Sequence, residues 1–309
     1  MIERTPILNI LTHLILAVGA VLMLLPMWIA FVAASHDITA VNTAPVEMWP
    51  GPHLIANLRE AWALSDFGQK FINTFIVAFA VVTGKITIAC ITAFSIVFFD
   101  YRGRMFIFWA IFITLMLPLE VRIVPTYAVA ANALQPFQVI ADSTGISWVI
   151  NRLTGIELAL NWNLLNSYTG LILPLIATAT GTFLYRQFFL TIPDELVEAA
   201  RMDGAGPLRF LRDILIPLSY TNMAALATIM FVYAWNQYLW PLLVITDRAN
   251  YGLVVVELGN LVPDQFSTGG GTPTWHLAMA ATLMVMIPPI LIVILMQRWF
   301  VRGLINTDK

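Results

Sequence analysis

The stretch ELVEAARMDGAGPLRFLRDILIPLS, residues 195–219, is charged and broken, yet it interrupts a chain that is otherwise too apolar for water. Pro193, Asp194 and Glu195 mark a helix start at its head. Proline fits a first helical turn, and acids complement the positive end of the helix dipole. Leu196, Ala199 and Ala200 form a small apolar face beside Glu198. Gly204 suits the left-handed conformation that closes a helix. Pro207 then fits the first turn of a second helix, in which Leu208, Leu211, Ile214 and Leu215 recur at helical spacing until Pro217. Two short helices meeting at a glycine elbow are therefore expected. A face this small suits a groove in another protein. A hairpin lying on lipid is the alternative, although interfacial helices favour large apolar and basic residues over Ala and Glu.

The surroundings decide where such an elbow can sit. Of 309 residues, 59% are hydrophobic and 11% charged, against about 25% charged in soluble domains. Six runs are long enough to cross about 30 Å of hydrocarbon: 7–34, 71–99, 105–133, 168–190, 221–245 and 275–300. The first is longer than a signal-peptide core and reads as an uncleaved helix. With the N-terminus inside, Arg4, Arg102, Arg104, Arg186, Arg201, Arg209, Arg212, Arg298, Arg302 and Lys309 fall on the inner side, and Arg59, Lys70, Arg152 and Arg248 on the outer side. Basic residues favour the cytoplasmic loops, so both termini and the elbow are expected in the cytoplasm. The reading is one membrane domain, 1–309, with the elbow loop at 191–218. The outer piece ISWVINRLTGIELAL, 146–160, is amphipathic; it either lies along the membrane surface or packs on other outer loops.

Several chemistries are excluded. Net charge is −2, so no basic field suggests nucleic acid. Cys90 is the single cysteine and forms no internal disulfide. Gly84-Lys85 is followed by Ile86 and lacks the upstream glycine of a phosphate-cradling loop. His13, His36, His53 and His276 are scattered without metal-ligand spacing. The chain is not expected to be an enzyme, to bind a metal or to hold a cofactor.

Three charges remain inside spans: Lys85, Glu120 and Arg122. An ion at mid-bilayer costs about 2.5–3.5 kcal/mol on insertion scales, so such groups face a bundle interior or a wet cavity. Two readings stand. Glu120 pairs with a cation and locks two helices together, or Arg122 or Lys85 offers its charge to an anionic solute. A guanidinium fork suits phosphate, and the three charges leave one cation unmatched. In WNQYLWPLL, 235–243, Trp240 reads as an interfacial belt residue, and Asn236 as a candidate for the outer gate.

EAARMDGAGPLRFLRDILIPL, 198–218, resembles the Glu-Ala-Ala loop of ABC importer permeases of the carbohydrate-uptake type. GKITIACITAFSIV, FITLMLPLEVRIVPT, YRQFFLTIPDELVEAARMDGA and AWNQYLWPLL extend the resemblance along the chain, closest to the glycerol-phosphate branch of that family. Carbohydrate permeases commonly carry Trp-Asn-Glu where this chain has Trp235-Asn236-Gln237. The resemblance implies an all-α integral membrane protein with six transmembrane helices and a cytoplasmic coupling-helix elbow, the permease fold of the maltose-transporter type. It implies an ATP-driven, binding-protein-dependent importer in a bacterial inner membrane. The partners would be a second homologous permease, an ATPase dimer that holds ATP and Mg, a periplasmic solute-binding protein and membrane lipid. Glu198, Ala199, Ala200, Asp203, Gly204 and Ala205 would couple to the ATPase, and Lys85, Glu120, Arg122 and Asn236 are candidates along the solute path. A permease for a neutral sugar and a gradient-driven secondary transporter are the rival readings.

Overall fold

A backbone inside hydrocarbon has no water to bond, so a spanning segment must satisfy its own N–H and C=O groups. The computed structural model describes residues 6–45, 47–64, 66–114, 119–177, 179–262 and 273–305, and every regular element among them is helical. Among the described residues, three helices are long and apolar enough to cross a membrane alone: Ile7–Ser35, Phe67–Phe98 and Trp275–Trp299. The other expected spans are interrupted. The run at 105–133 consists of helices Arg104–Thr114 and Leu119–Ala131 on either side of 115–118, which lie outside the described residues. The run at 168–190 bends by 44° between Tyr168–Ile176 and Ala179–Phe189. Helix Tyr220–Trp235 ends before Asn236, and a separate short helix, Leu239–Val244, follows. Among the described residues, counting each bent pair as one span, Tyr168–Ile176 with Ala179–Phe189 and Pro207–Leu218 with Tyr220–Trp235, gives up to five by length and composition.

Contacts group the chain into two compact units. The first is Met1–Lys70 with Val254–Pro288. Helix Pro6–Ser35 is exposed along most of its length, and only its last turns are buried. That end is closed by polar groups from the following loop. Asn57 Nδ2 donates to the carbonyls of Ala34 and His36 at 2.9 and 2.7 Å, and Gly51 N–H donates to Ser35 Oγ at 2.8 Å. Helix-terminal carbonyls that lack intrahelical partners are thereby satisfied.

The second unit is Phe71–Leu253 with Pro289–Lys309. Here helix Phe67–Phe98 meets helix Tyr220–Trp235 through aromatic rings: Phe75 and Phe71 against Trp235, and Phe79 against Phe231. Each such pair adds about 0.5–1.5 kcal/mol beyond its buried area. Asn73, fully buried, donates to the carbonyls of Asn250 and Gly252 and accepts from the Tyr168 hydroxyl at 2.8 Å. The expected belt role of Trp240 does not hold: its ring is 1% exposed and its indole N–H donates to the Gly170 carbonyl at 3.2 Å. A buried Trp and an interfacial Trp share one sequence signature, an apolar ring that needs a partner for its N–H. The amphipathic piece at 146–160 forms helix Ile146–Thr154, shorter than its pattern, with Trp148 and Leu153 exposed.

Gly170 is a point of close approach. Ser167 Oγ caps its N–H at 3.1 Å, and an added Cβ would fall against the backbone carbonyl of Leu164. Gly170→Ala is expected to lower thermal stability in detergent by about 1–3 kcal/mol, the usual penalty of overpacking. Gly19→Ala, where the added carbon meets open space, should leave it unchanged. Equal melting temperatures for the two variants would show that this junction carries no weight.

Candidate functional site

The elbow forms through a local hydrogen-bond closure. Asp194 and Glu195 open helix Asp194–Met202, with Pro193 before it. At the other end Gly204 N–H donates to the Arg201 carbonyl at 3.0 Å, and Ala205 N–H to the Ala200 carbonyl at 2.9 Å. Gly204 stands at φ +70°. This nested pair with a left-handed glycine is the Schellman closure. It assigns separate tasks to the stretch AARMDGA: Ala200 and Ala205 form its inner side, and Gly204 supplies the backbone turn. Pro207 then opens helix Pro207–Phe210, which runs on through a wider turn, Leu211–Leu215. Ile216 N–H reaches back five residues to the Leu211 carbonyl, beside Pro217, which offers no N–H. After Leu218 the chain turns by 75° into helix Tyr220–Trp235.

The elbow is seated on aromatic rings at the end of helix Phe67–Phe98. A cavity of about 300 Å³ lies between Phe94, Phe98 and Phe99 on one side and Val197, Ala200, Ala205 and Phe210 on the other. Phe98 meets Phe210 edge-on at 5.4 Å and Phe189 at 5.8 Å. The expected single apolar face of Leu196, Ala199 and Ala200 is thus divided. Ala200 is 5% exposed and turned onto this seat. Ala199, Glu198 and Asp203 are exposed, as are Leu196, Met202 and Leu208. The phenylalanine seat was not expected from the sequence, although the run FSIVFFD, 94–100, carries it in plain view.

A second cavity, of about 670 Å³, holds two of the four expected solute-path residues. Lys85 and Arg122 line it with Thr114, Thr180, Met230 and Tyr233. Lys85 is 5% exposed, and its Nζ lies 4.5 Å from the centroid of the Tyr233 ring. Arg122 is exposed at the start of helix Leu119–Ala131. Among the described residues no carboxylate lies within ion-pair distance of either cation; the side chain of Glu120 is outside them. The bend at Ala177 opens here too, since Ala177, Ala179 and Thr180 all face the cavity. Broken helices are tolerated at membrane depth where they line such a space.

Asn236 does not reach this cavity. It is exposed in the break after Trp235. Its neighbour Gln237 is buried, and the amide Nε2 donates to the Tyr233 carbonyl at 3.2 Å. A carboxylate there would set two acceptors face to face, which gives a physical reason for Gln at this position.

Comparison with known proteins follows the same lines. Residues 54–306 match the family described as "Binding-protein-dependent transport system inner membrane component". The chain is 46% identical, over 315 aligned residues covering all of both chains, to the sn-glycerol-3-phosphate transport system permease protein UgpE of Yersinia pestis bv. Antiqua (strain Antiqua). The protein of the same name from Escherichia coli (strain K12) gives 46% over the same coverage. In fold it resembles a chain of a bacterial ABC transporter involved in the import of the acidic polysaccharide alginate, with a TM-score of 0.72 and 21% identity over 97% of this chain and 99% of that one.

Gly204→Val should break the closure, because a β-branched residue in the left-handed region costs about 1–2 kcal/mol. Limited proteolysis between residues 194 and 207 is expected to accelerate while membrane insertion is unchanged. Gly204→Asn should stay near the parent, since Asn accepts that conformation. Unaltered cleavage of the Val variant would show that the elbow does not depend on this turn.

Proposed function

The chain belongs to the binding-protein-dependent transport system inner membrane components, and from that premise we propose that it is a permease subunit of an ATP-driven importer for sn-glycerol-3-phosphate or related glycerophosphodiesters. It crosses a bacterial inner membrane six times, with both termini in the cytoplasm. The excess of basic residues in the inner segments supports this orientation. Helices Arg104–Thr114 and Leu119–Ala131 together make the third crossing. The whole of 1–309 acts as one permease domain, and 191–218 is its coupling loop.

One observation carries the solute assignment: Lys85 and Arg122, on different helices, face one cavity. Two cations beside hydroxyl groups suit a phosphate better than a neutral sugar, since charge-assisted hydrogen bonds are roughly twice as strong as neutral ones. The full-length relatives named for sn-glycerol-3-phosphate transport agree with this reading. Arg122 is exposed and free to meet solute as it arrives, whereas Lys85 holds the closed side of the cavity.

The cytoplasmic elbow couples this cavity to an ATPase dimer, which holds ATP and Mg; this chain holds neither. Glu198 and Ala199, with exposed Leu196, Met202 and Leu208, face the ATPase. Ala200 and Ala205 hold the elbow from within, Gly204 supplies its turn, and exposed Asp203 stands with Glu198 on the ATPase side. A second permease subunit and a periplasmic solute-binding protein complete the importer. Closure of the ATPases displaces the elbow. The displacement reaches the cavity through Phe210 and Phe98, at the end of the helix that carries Lys85. Phe98 lies thirteen positions after Lys85, about 20 Å of helix at 1.5 Å per residue.

Arg122→Gln is expected to slow uptake of sn-glycerol-3-phosphate by the assembled importer by roughly tenfold to a hundredfold, from the loss of a charged hydrogen bond of about 1.5–3 kcal/mol. It should slow uptake more than Lys85→Gln does, and Arg122→Lys should keep part of the activity. A structural ion pair makes a different forecast: Arg122→Gln and Glu120→Gln each destabilise the complex and the double variant recovers. Full uptake by that double variant would remove Arg122 from the solute path.

A further inference from the structure

Lys85 is a buried ammonium whose described contact is an aromatic face. Its Nζ sits 4.5 Å from the Tyr233 ring centroid, at the wall of the larger cavity. Among the described residues, no carboxylate neutralises it. A cation over a ring is held by the ring quadrupole alone and keeps its hydrogen-bond donors unspent. Phosphate oxygens offer that ammonium strong acceptors, while a sugar hydroxyl offers a weaker, neutral one.

The two partners lie on the two helices that lead to the elbow. Lys85 stands on helix Phe67–Phe98, whose end seats the elbow through the Phe98–Phe210 contact. Tyr233 stands on helix Tyr220–Trp235, which follows the elbow across the 75° turn at Ser219. The elbow is thus tied into a loop of contacts: Phe98 to Phe210, along the chain to Tyr233, and across to Lys85. Of the contacts on this route, the one between Lys85 and Tyr233 is the one an anion in the cavity competes for directly.

We infer that Tyr233 is a positioning residue that parks Lys85 at the cavity wall, and that an anionic solute draws the ammonium off the ring and so releases one helix from the other. Resting on the assignment of an organic phosphate as solute, this makes the contact the cavity's sensor of charge. A neutral solute leaves Lys85 on Tyr233. An organic phosphate removes it and loosens the loop of contacts that the ATPases must deform.

The test uses the complete importer, reconstituted with its binding protein, with sn-glycerol-3-phosphate as probe. The readout is the ratio of ATPase rates with and without the probe. Tyr233→Leu is expected to raise the rate without probe by roughly threefold to tenfold, the scale of a cation–π contact, and to bring the ratio toward one. Tyr233→Phe keeps the ring and should keep the parent ratio. Lys85→Met should behave as Tyr233→Leu, and the double variant should be no worse than either, because both remove one contact. Should Tyr233→Leu fail to assemble, Tyr233→Phe and Lys85→Met alone decide: a parent ratio in the first and a raised rate without probe in the second support the sensor, whereas a collapsed ratio at the parent's rate without probe marks loss of solute binding alone and overturns it. A parent importer that responds to sn-glycerol-3-phosphate, with Lys85→Met or Tyr233→Leu keeping its ratio, overturns this inference alone. A parent importer stimulated by a neutral sugar and not by this probe overturns the solute assignment as well.

Discussion

The absence of water inside a bilayer is the constraint on which the other features rest. It forces the apolar runs into helices, because only a helix satisfies its backbone within one segment. It also decides where a helix is allowed to stop. The bend at Ala177 opens onto the cavity that Lys85 and Arg122 line. The end at Trp235 is covered by the Gln237 amide on the Tyr233 carbonyl. The end at Ser35 is covered by Asn57. Each of these three described interruptions is matched by a polar side chain or by a cavity.

The same economy places the charges. Lys85 is nearly buried yet lies over an aromatic ring, and Arg186 likewise sets its guanidinium 4.3 Å from the Phe108 ring centroid. Aromatic faces let a cation remain inside a membrane protein without a carboxylate partner. Such a cation stays available to a solute. In the second unit, aromatic rings join helices at two places: Phe71, Phe75, Phe79, Phe231 and Trp235 near one end of helix Phe67–Phe98, and Phe94, Phe98, Phe189 and Phe210 near the other. Lys85 lies between the two clusters.

Much of this was legible in the sequence because it depends on short-range rules. Pro193, Gly204 and Pro207 mark helix limits by backbone geometry alone, and the helices Asp194–Met202 and Pro207–Phe210 fall where they direct. The apolar runs likewise gave helices. What escaped depends on contacts between distant segments. The breaks at Ala177 and after Trp235 leave hydropathy unchanged, so an apolar run conceals them. Trp240 read as an interfacial residue because burial and interface demand the same ring. The pairing of Lys85 with Tyr233 joins two helices far apart in the chain, and no periodicity announces it. Ala200 and Ala199 look equivalent as letters, but the Schellman closure turns one inward and leaves the other exposed.

If the elbow and the cavity belong to one ATP-driven path for an organic phosphate, vesicles holding the complete importer should accumulate labelled sn-glycerol-3-phosphate, delivered by its binding protein, when ATP is present on the cytoplasmic side. They should accumulate none when only a proton or sodium gradient is imposed. Concentrative uptake driven by either gradient without ATP would show that no such path exists.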